Sequence, residues 1–235
     1  MKIFFVGQST FKLTLDDGTA LLTDPWFSGV GFWRAVGPAC GPEGVGRLDF
    51  ILASHNHLDH IDEPSLKLAR EQDSTVVGSE RVAKRARQAG VKRVFALRSG
   101  EEQSFSGFSV KAAPAFHPLA KDAIGFLIRA RGRQIYFCGD TRLDSRLIAF
   151  LKDCGPVDLA FLQIACAVYF GKDDGLRLET AAELARAFSP KVVVPMHYHG
   201  RFKVKVDPVR LQDLLAGSGI EALVIGLGEE KEVWK

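Results

Sequence analysis

Three of the chain's six histidines fall within six residues, His55-Asn56-His57-Leu58-Asp59-His60, directly after the strand-like run Asp49 to Ser54. Few features constrain a fold more, because so many imidazoles beside a carboxylate need a common purpose or a place in solvent. Alternation along an extended segment points His55, His57 and Asp59 to one side, with His60 turning to the other as the chain enters a helix. One short segment can thus serve two neighbouring metal ions. Imidazole and carboxylate are the ligands zinc takes where a coordination position stays open for catalysis, whereas an all-thiolate set closes the site. The competing reading is a polar surface turn.

The other chemistry-bearing residues also stand at the ends of apolar β-runs. His117 follows Val110 to Phe116, Asp140 follows Ile135 to Gly139, and His197 follows Val192 to Met196. Taken singly, His117 can be a satisfied polar residue and Asp140 the N-cap of a helix starting near Arg142. As a set they read as strand-end ligands. His199 is either a proton donor or substrate contact beside His197, or a loop histidine in solvent. Asp24 either orients a metal-bound histidine or forms the turn that Asp-Pro favours. Trp26, Trp33, Tyr169 and Phe202 are candidate substrate-binding walls, with core packing the alternative for each.

Around these residues the chain alternates short β-runs with helices. Runs at 2–6, 11–15 and 20–23 open it as a meander, with Asp16-Asp17-Gly18 as a tight turn. A glycine-rich segment, 26–47, follows, whose aromatics suggest an ordered cover. Strands are expected at 49–54, 75–78, 93–96, 103–105, 108–114, 124–130, 134–138, 157–162, 191–195, 221–225 and 231–234. Helices are expected at 63–71, 80–89, 145–152, 179–188 and 207–215, with an irregular stretch at 172–175. This pattern predicts an α/β fold of two sheets between helical layers. No linker interrupts residues 1–235, so a single domain is expected.

Composition narrows the function classes. Hydrophobic residues make up 46% and charged residues 25% of 235, enough for a sizeable core and against a disordered chain. The net charge of +3 comes from scattered Lys and Arg. Arg81, Lys84, Arg85 and Arg87 gather on one helix, read as a solvated face before a phosphate-binding patch. Nucleic acid has no strong signal. Cys40, Cys138, Cys154 and Cys166 are widely spaced and form no CxxC, which fits a reducing, cytoplasmic setting. No apolar stretch reads as a membrane span or an export signal.

His55-x-His57-x-Asp59-His60, followed by His117, Gly139-Asp140-Thr141 and His197, resembles the metallo-β-lactamase superfamily. Gly7-Gln8-Ser9-Thr10-Phe11 and Leu22-Thr23-Asp24-Pro25-Trp26-Phe27 are similar to the opening of the branch that includes the ascorbate-phosphate lactonase and the N-acylethanolamine phospholipase D. The resemblance covers nearly the whole chain and implies a four-layer αββα sandwich with two divalent metal ions, zinc first and manganese or iron as alternatives. His55, His57 and His117 would hold one, Asp59, His60 and His197 the other, and Asp140 would bridge them. A metal-bridging hydroxide would then attack a small ester, lactone or phosphodiester, with Asp59 and His199 as the catalytic candidates. His57 stands where the di-iron flavoprotein branch has glutamate, which argues against oxygen reduction. Ala115-Phe116-His117-Pro118 departs from the Gly-His-Thr of the glyoxalase II-like branch, which argues against thioester hydrolysis. The expected partner is a small-molecule substrate, without membrane attachment and with homo-oligomers compatible. The rival readings are a nuclease or phosphodiesterase on nucleic acid and a non-catalytic metal-containing binding protein.

Overall fold

In a computed structural model the described residues are 1–29, 34–169, 171–200 and 206–234. They form two compact units. The first comprises Met1–Arg98, His199–Arg201 and Ile225–Lys235, the second Ser99–Tyr198 and Phe202–Val224.

The first unit is built on a seven-stranded sheet in the order β16-β1-β2-β3-β4-β5-β6. Its strands are β1 (Lys2–Gly7), β2 (Thr10–Thr14), β3 (Ala20–Thr23), β4 (Phe50–Ala53), β5 (Thr75–Gly78), β6 (Val94–Ala96) and β16 (Glu230–Glu232). The meander β1-β2-β3 is antiparallel and β3 to β6 are parallel. β1 therefore runs in the direction of β3 and β4, and all three end at one edge of the sheet. Ligand-bearing loops of α/β proteins collect at such an edge, where the carboxyl ends of the strands meet.

Helices α1 (Glu63–Glu71) and α2 (Glu80–Gln88) cover this sheet. Asp62 caps α1 by accepting from the Ser65 backbone N–H, which satisfies one of the donors a helix start leaves open. Leu66 and Ala69 of α1 and Val82 and Ala86 of α2 bury with Leu22, Ile51 and Val76 of the sheet in one apolar cluster. Each fully buried Val, Leu or Ile there contributes about 1.5–3 kcal/mol.

The second unit carries another seven-stranded sheet, order β15-β14-β11-β10-β9-β8-β7. These are β7 (Glu102–Phe105), β8 (Phe108–Pro114), β9 (Ile124–Ala130), β10 (Arg133–Phe137), β11 (Leu159–Gln163), β14 (Val192–Met196) and β15 (Glu221–Ala222). β10, β11 and β14 are parallel neighbours, buried along nearly their whole length. β8 pairs antiparallel with β9, and β9 with β10, so β8 runs the same way as β10. Helices α3 (Ser145–Asp153), α4 (Leu178–Phe188) and α5 (Arg210–Leu215) complete the five α-helices among the described residues. No helix there is long and apolar enough to cross a membrane.

Several expected elements differ in extent. The last helix starts at Arg210 rather than 207, because Asp207 and Pro208 form a turn before it. The closing strands shorten to Glu221–Ala222 and Glu230–Glu232. The stretch expected to be irregular opens with a short strand, β13 (Lys172–Asp173), paired antiparallel with β12 (Val168–Tyr169) before it. Within the glycine-rich segment, Pro42–Val45 forms a short 3-10 turn.

Candidate metal centre

Strand β4 ends at Ala53, and His55 to His60 run through bends into a tight turn, with the N–H groups of His60 and Ile61 both donating to the His57 carbonyl. The expected extended alternation is thereby corrected. An extended chain would hold residues i and i+2 about 7 Å apart, whereas the folded segment brings His55 Nε2 to 3.0 Å from His57 Nδ1. Candidate ligand atoms of His55 and His60, and of Asp59 and His60, also lie within 4.8 Å of one another. The turn concentrates the donors more tightly than a strand could.

Three supports hold that turn. Asp24, buried and in the left-handed region with φ 33°, accepts from His60 Nδ1 at 2.7 Å, from the Ser54 N–H at 2.6 Å and from the Ser54 hydroxyl at 2.7 Å. Burial pushes its carboxyl above the usual range, opposed by His60 and Ser54. Asp62 accepts from the N–H groups of Phe27 at 2.8 Å and Ser28 at 2.7 Å, tying the loop after Trp26 to the start of α1. Arg85 of α2 reaches back to the Ile61 carbonyl at 2.8 Å and to Asn56 Oδ1 at 3.4 Å. Its neighbours Arg81, Lys84 and Arg87 form the expected solvated face, but Arg85 is half-buried. Helical periodicity placed Arg85 among those cations and carried no sign of its contact.

The second unit presents its residues at three strand ends. His117 follows β8, and its Nδ1 donates to the Asp174 carbonyl at 2.8 Å. Asp140 follows β10, and His197 follows β14 in the left-handed region with φ 69°. Non-glycine residues held there store strain that tends to collect at functional positions. His197 Nε2 lies 3.1 Å from Asp140 Oδ1, while its Nδ1 lies 3.1 Å from the Ala165 carbonyl and 3.0 Å from Gln163 Nε2. Asp140 caps no helix, since Asp144 caps α3 instead. Gln163, the last residue of β11, was not among the sequence candidates. Its Oε1 accepts from the N–H groups of Leu176 at 3.1 Å and Thr141 at 3.4 Å.

Two of these histidines share one arrangement. His60 Nδ1 is held by a carboxylate and His117 Nδ1 by a backbone carbonyl, which fixes both tautomers with Nε2 as the lone-pair donor, whereas His197 Nδ1 faces both a carbonyl and the Gln163 amide nitrogen. His55 Nδ1 meets the Ser54 hydroxyl at 3.0 Å. The residues present fit divalent cations with mixed nitrogen and oxygen ligands.

His199, considered above as a loop histidine in solvent, is half-buried in the first unit. Its Nδ1 accepts the Gln8 backbone N–H at 3.3 Å, and its own N–H donates to Gln8 Oε1 at 2.8 Å. Burial and the Arg34 charge lower its pKa to about 4. Trp26 is buried, with the Arg34 guanidinium 4.7 Å above its ring. Tyr169 lies in β12, and Trp33 and Phe202 fall outside the described residues.

The profile of the beta-lactamase superfamily domain matches residues 19–198. The chain belongs to this superfamily. A metal-dependent hydrolase of Listeria innocua is 31% identical over 99% of this chain and 100% of its own length. A metal-dependent hydrolase of Enterococcus faecalis is 29% identical over 94% of this chain and 96% of its own. Among solved structures, a metallo hydrolase from the archaeon Ignicoccus hospitalis superposes with a TM-score of 0.83 at 22% identity, covering 98% of this chain and 97% of that one. The isothiocyanate hydrolase from Delia radicum gut bacteria also reaches 0.83, at 19% identity, over 99% and 98% of the two chains. At such identities the structures speak for the fold alone, which is the α/β fold of the metallo-β-lactamase type.

Proposed function

We propose that this chain is a metal-dependent hydrolase that uses two divalent cations, zinc in the first place, on a small ester, lactone or phosphodiester. In this reading His55, His57 and His117 would hold one cation and Asp59, His60 and His197 the other, and Asp140 would serve both. The observation that carries it is the arrangement of His60 and His117. Each has Nδ1 tied to a carboxylate or carbonyl, which supports Nε2 as the ligand atom. Superfamily membership and metal-dependent hydrolases among its relatives support the activity.

A bound divalent cation lowers the pKa of water and polarises the bond under attack. The protein's own contribution is to hold protons and lone pairs in place. Asp24 keeps the His60 proton on Nδ1, and the Asp174 carbonyl does the same for His117. In this reading His199 serves as the substrate contact, the other of the two parts considered above. The Gln8 backbone N–H occupies its Nδ1, so the ring carries its proton on Nε2. A neutral imidazole in that tautomer orients a substrate oxygen by hydrogen bonding rather than by giving up a proton.

Purified protein stripped with chelator and refilled with zinc or manganese is expected to hold two metal ions per chain and to hydrolyse members of an ester and phosphodiester panel. His57→Ala should lose most of that hydrolysis. Less than one ion per chain, or unchanged hydrolysis by His57→Ala, would overturn the proposal.

A further inference from the structure

Position 34 carries a buried guanidinium that no carboxylate pairs directly among the described residues. Arg34 is fully buried, its Nε donates to the Val36 carbonyl at 2.7 Å and its Nη1 to the Trp26 carbonyl, but among the described residues Nη2 has no acceptor. Asp59 and Asp62 are near enough for their charges to act on it, yet neither forms an ion pair with it among the described residues. Carbonyls, an aromatic face and carboxylates acting at a distance still leave one buried N–H of this cation unmatched, which is costly unless an acceptor reaches it.

Arg34 is not isolated. Gln8 Nε2 and Trp26 Nε1 are also buried and have no acceptor among the described residues. These residues are linked: Arg34 stacks on Trp26, the N–H of Ala35 donates to the His199 carbonyl, and His199 pairs with Gln8. These three unmatched groups are N–H donors, so an occupant must bring lone pairs. Gly7 and Gln8 end β1 at the same sheet edge at which Asp24 ends β3 and His55 follows β4. Gln8 takes the left-handed conformation with φ 59°, an uncommon state for a residue with a side chain. At Gly7, φ is 130°, and an added Cβ would stand 2.4 Å from Arg34 Nη2 and 3.6 Å from His199 Nδ1. Glycine leaves the guanidinium room to lie against this turn.

We propose that Arg34, with Gln8 and Trp26, forms an anion-binding subsite beside the histidine turn that takes the carboxylate or phosphate group of the substrate. That it serves a substrate rests on the hydrolase reading above. The planar guanidinium fork suits the paired oxygens that both anions present. Half-buried His199 is the member of the cluster that meets solvent.

The test uses the full chain stripped of metal, so that anion binding is read apart from hydrolysis. Calorimetric titration with inorganic phosphate and, separately, with acetate is expected to show binding of at least one. Phosphate alone would identify a phosphate-bearing substrate, and acetate alone a carboxylate. Arg34→Gln should weaken binding at least about tenfold, the scale of one charge-assisted hydrogen bond. Gln8→Ala should weaken it by a smaller factor, and it decides the matter if Arg34→Gln fails to fold. Absence of binding by either anion, or equal affinity in the folded variants, overturns the subsite. Loss of the hydrolase reading would show separately, as absent metal-dependent turnover.

Discussion

The two units supply their candidate ligands in opposite ways. In the first, His55, His57, Asp59 and His60 come from one turn, held by the buried acids Asp24 and Asp62 and by Arg85. In the second, His117, Asp140 and His197 come from the ends of β8, β10 and β14, lying at one edge because those strands run in the same direction. The turn needs dedicated hydrogen-bond acceptors because a loop has no ladder to stiffen it. The strand ends take their positions from the sheet and need only a local anchor, which Gln163 provides. Damage to the turn should therefore show first in metal affinity, and damage to the strand-end anchor first in stability.

The largest expected effect comes from Asp24→Ala. It leaves His60 Nδ1, the Ser54 N–H and the Ser54 hydroxyl without their buried acceptor. Metal affinity should fall about 10–100-fold and stability by about 3 kcal/mol. Metal titration of the stripped protein checks the first figure, and an unchanged affinity would break the comparison.

Gln163→Ala comes next. The buried N–H groups of Thr141 and Leu176 lose their acceptor, and urea unfolding should register a loss of about 2 kcal/mol. Gly175→Ala should act in the same direction, because a Cβ there would stand 2.2 Å from Gln163 Oε1. If either variant lost metal affinity with stability unchanged, the two units would be supported alike.

The smallest effect belongs to Asp158, between α3 and β11 and away from both sets of ligands. Burial would raise its carboxyl, but Lys191, the Gln134 N–H and Arg133 outweigh burial and hold it below the model-peptide value of 3.8. A depressed carboxylate pKa contributes stability that is present above the unfolded value and lost as pH falls through the folded one. Asp158→Asn should cost about 1 kcal/mol near neutral pH, and the two proteins should converge in thermal unfolding below pH 3.8. A difference that persisted there would assign the effect to packing.

Legibility in the sequence follows the same division. The helix Glu63–Glu71 and the strands Thr75–Gly78, Phe108–Pro114 and Ile124–Ala130 match their expected bounds, because periodic burial and clear turn residues mark both ends. The hairpin at 168–173 left no such mark, since two-residue strands have no periodicity to read. Candidate ligands were visible because residue type and strand-end position are both local properties. Their anchors were less so: Gln163 is an ordinary strand residue, and the bond from Arg85 to Ile61 spans 24 positions.

By itself, then, the sequence determined the α/β class, the superfamily signature and the residue types offered to a metal, because these depend on short-range pattern and spacing. Only the tertiary structure decided that His55 to His60 fold into a turn rather than a strand, which nitrogen of His60 and of His117 is tied, and that Arg34 lies buried with one N–H unmatched among the described residues. Those outcomes depend on hydrogen bonds and burial between distant segments. No local pattern encodes them.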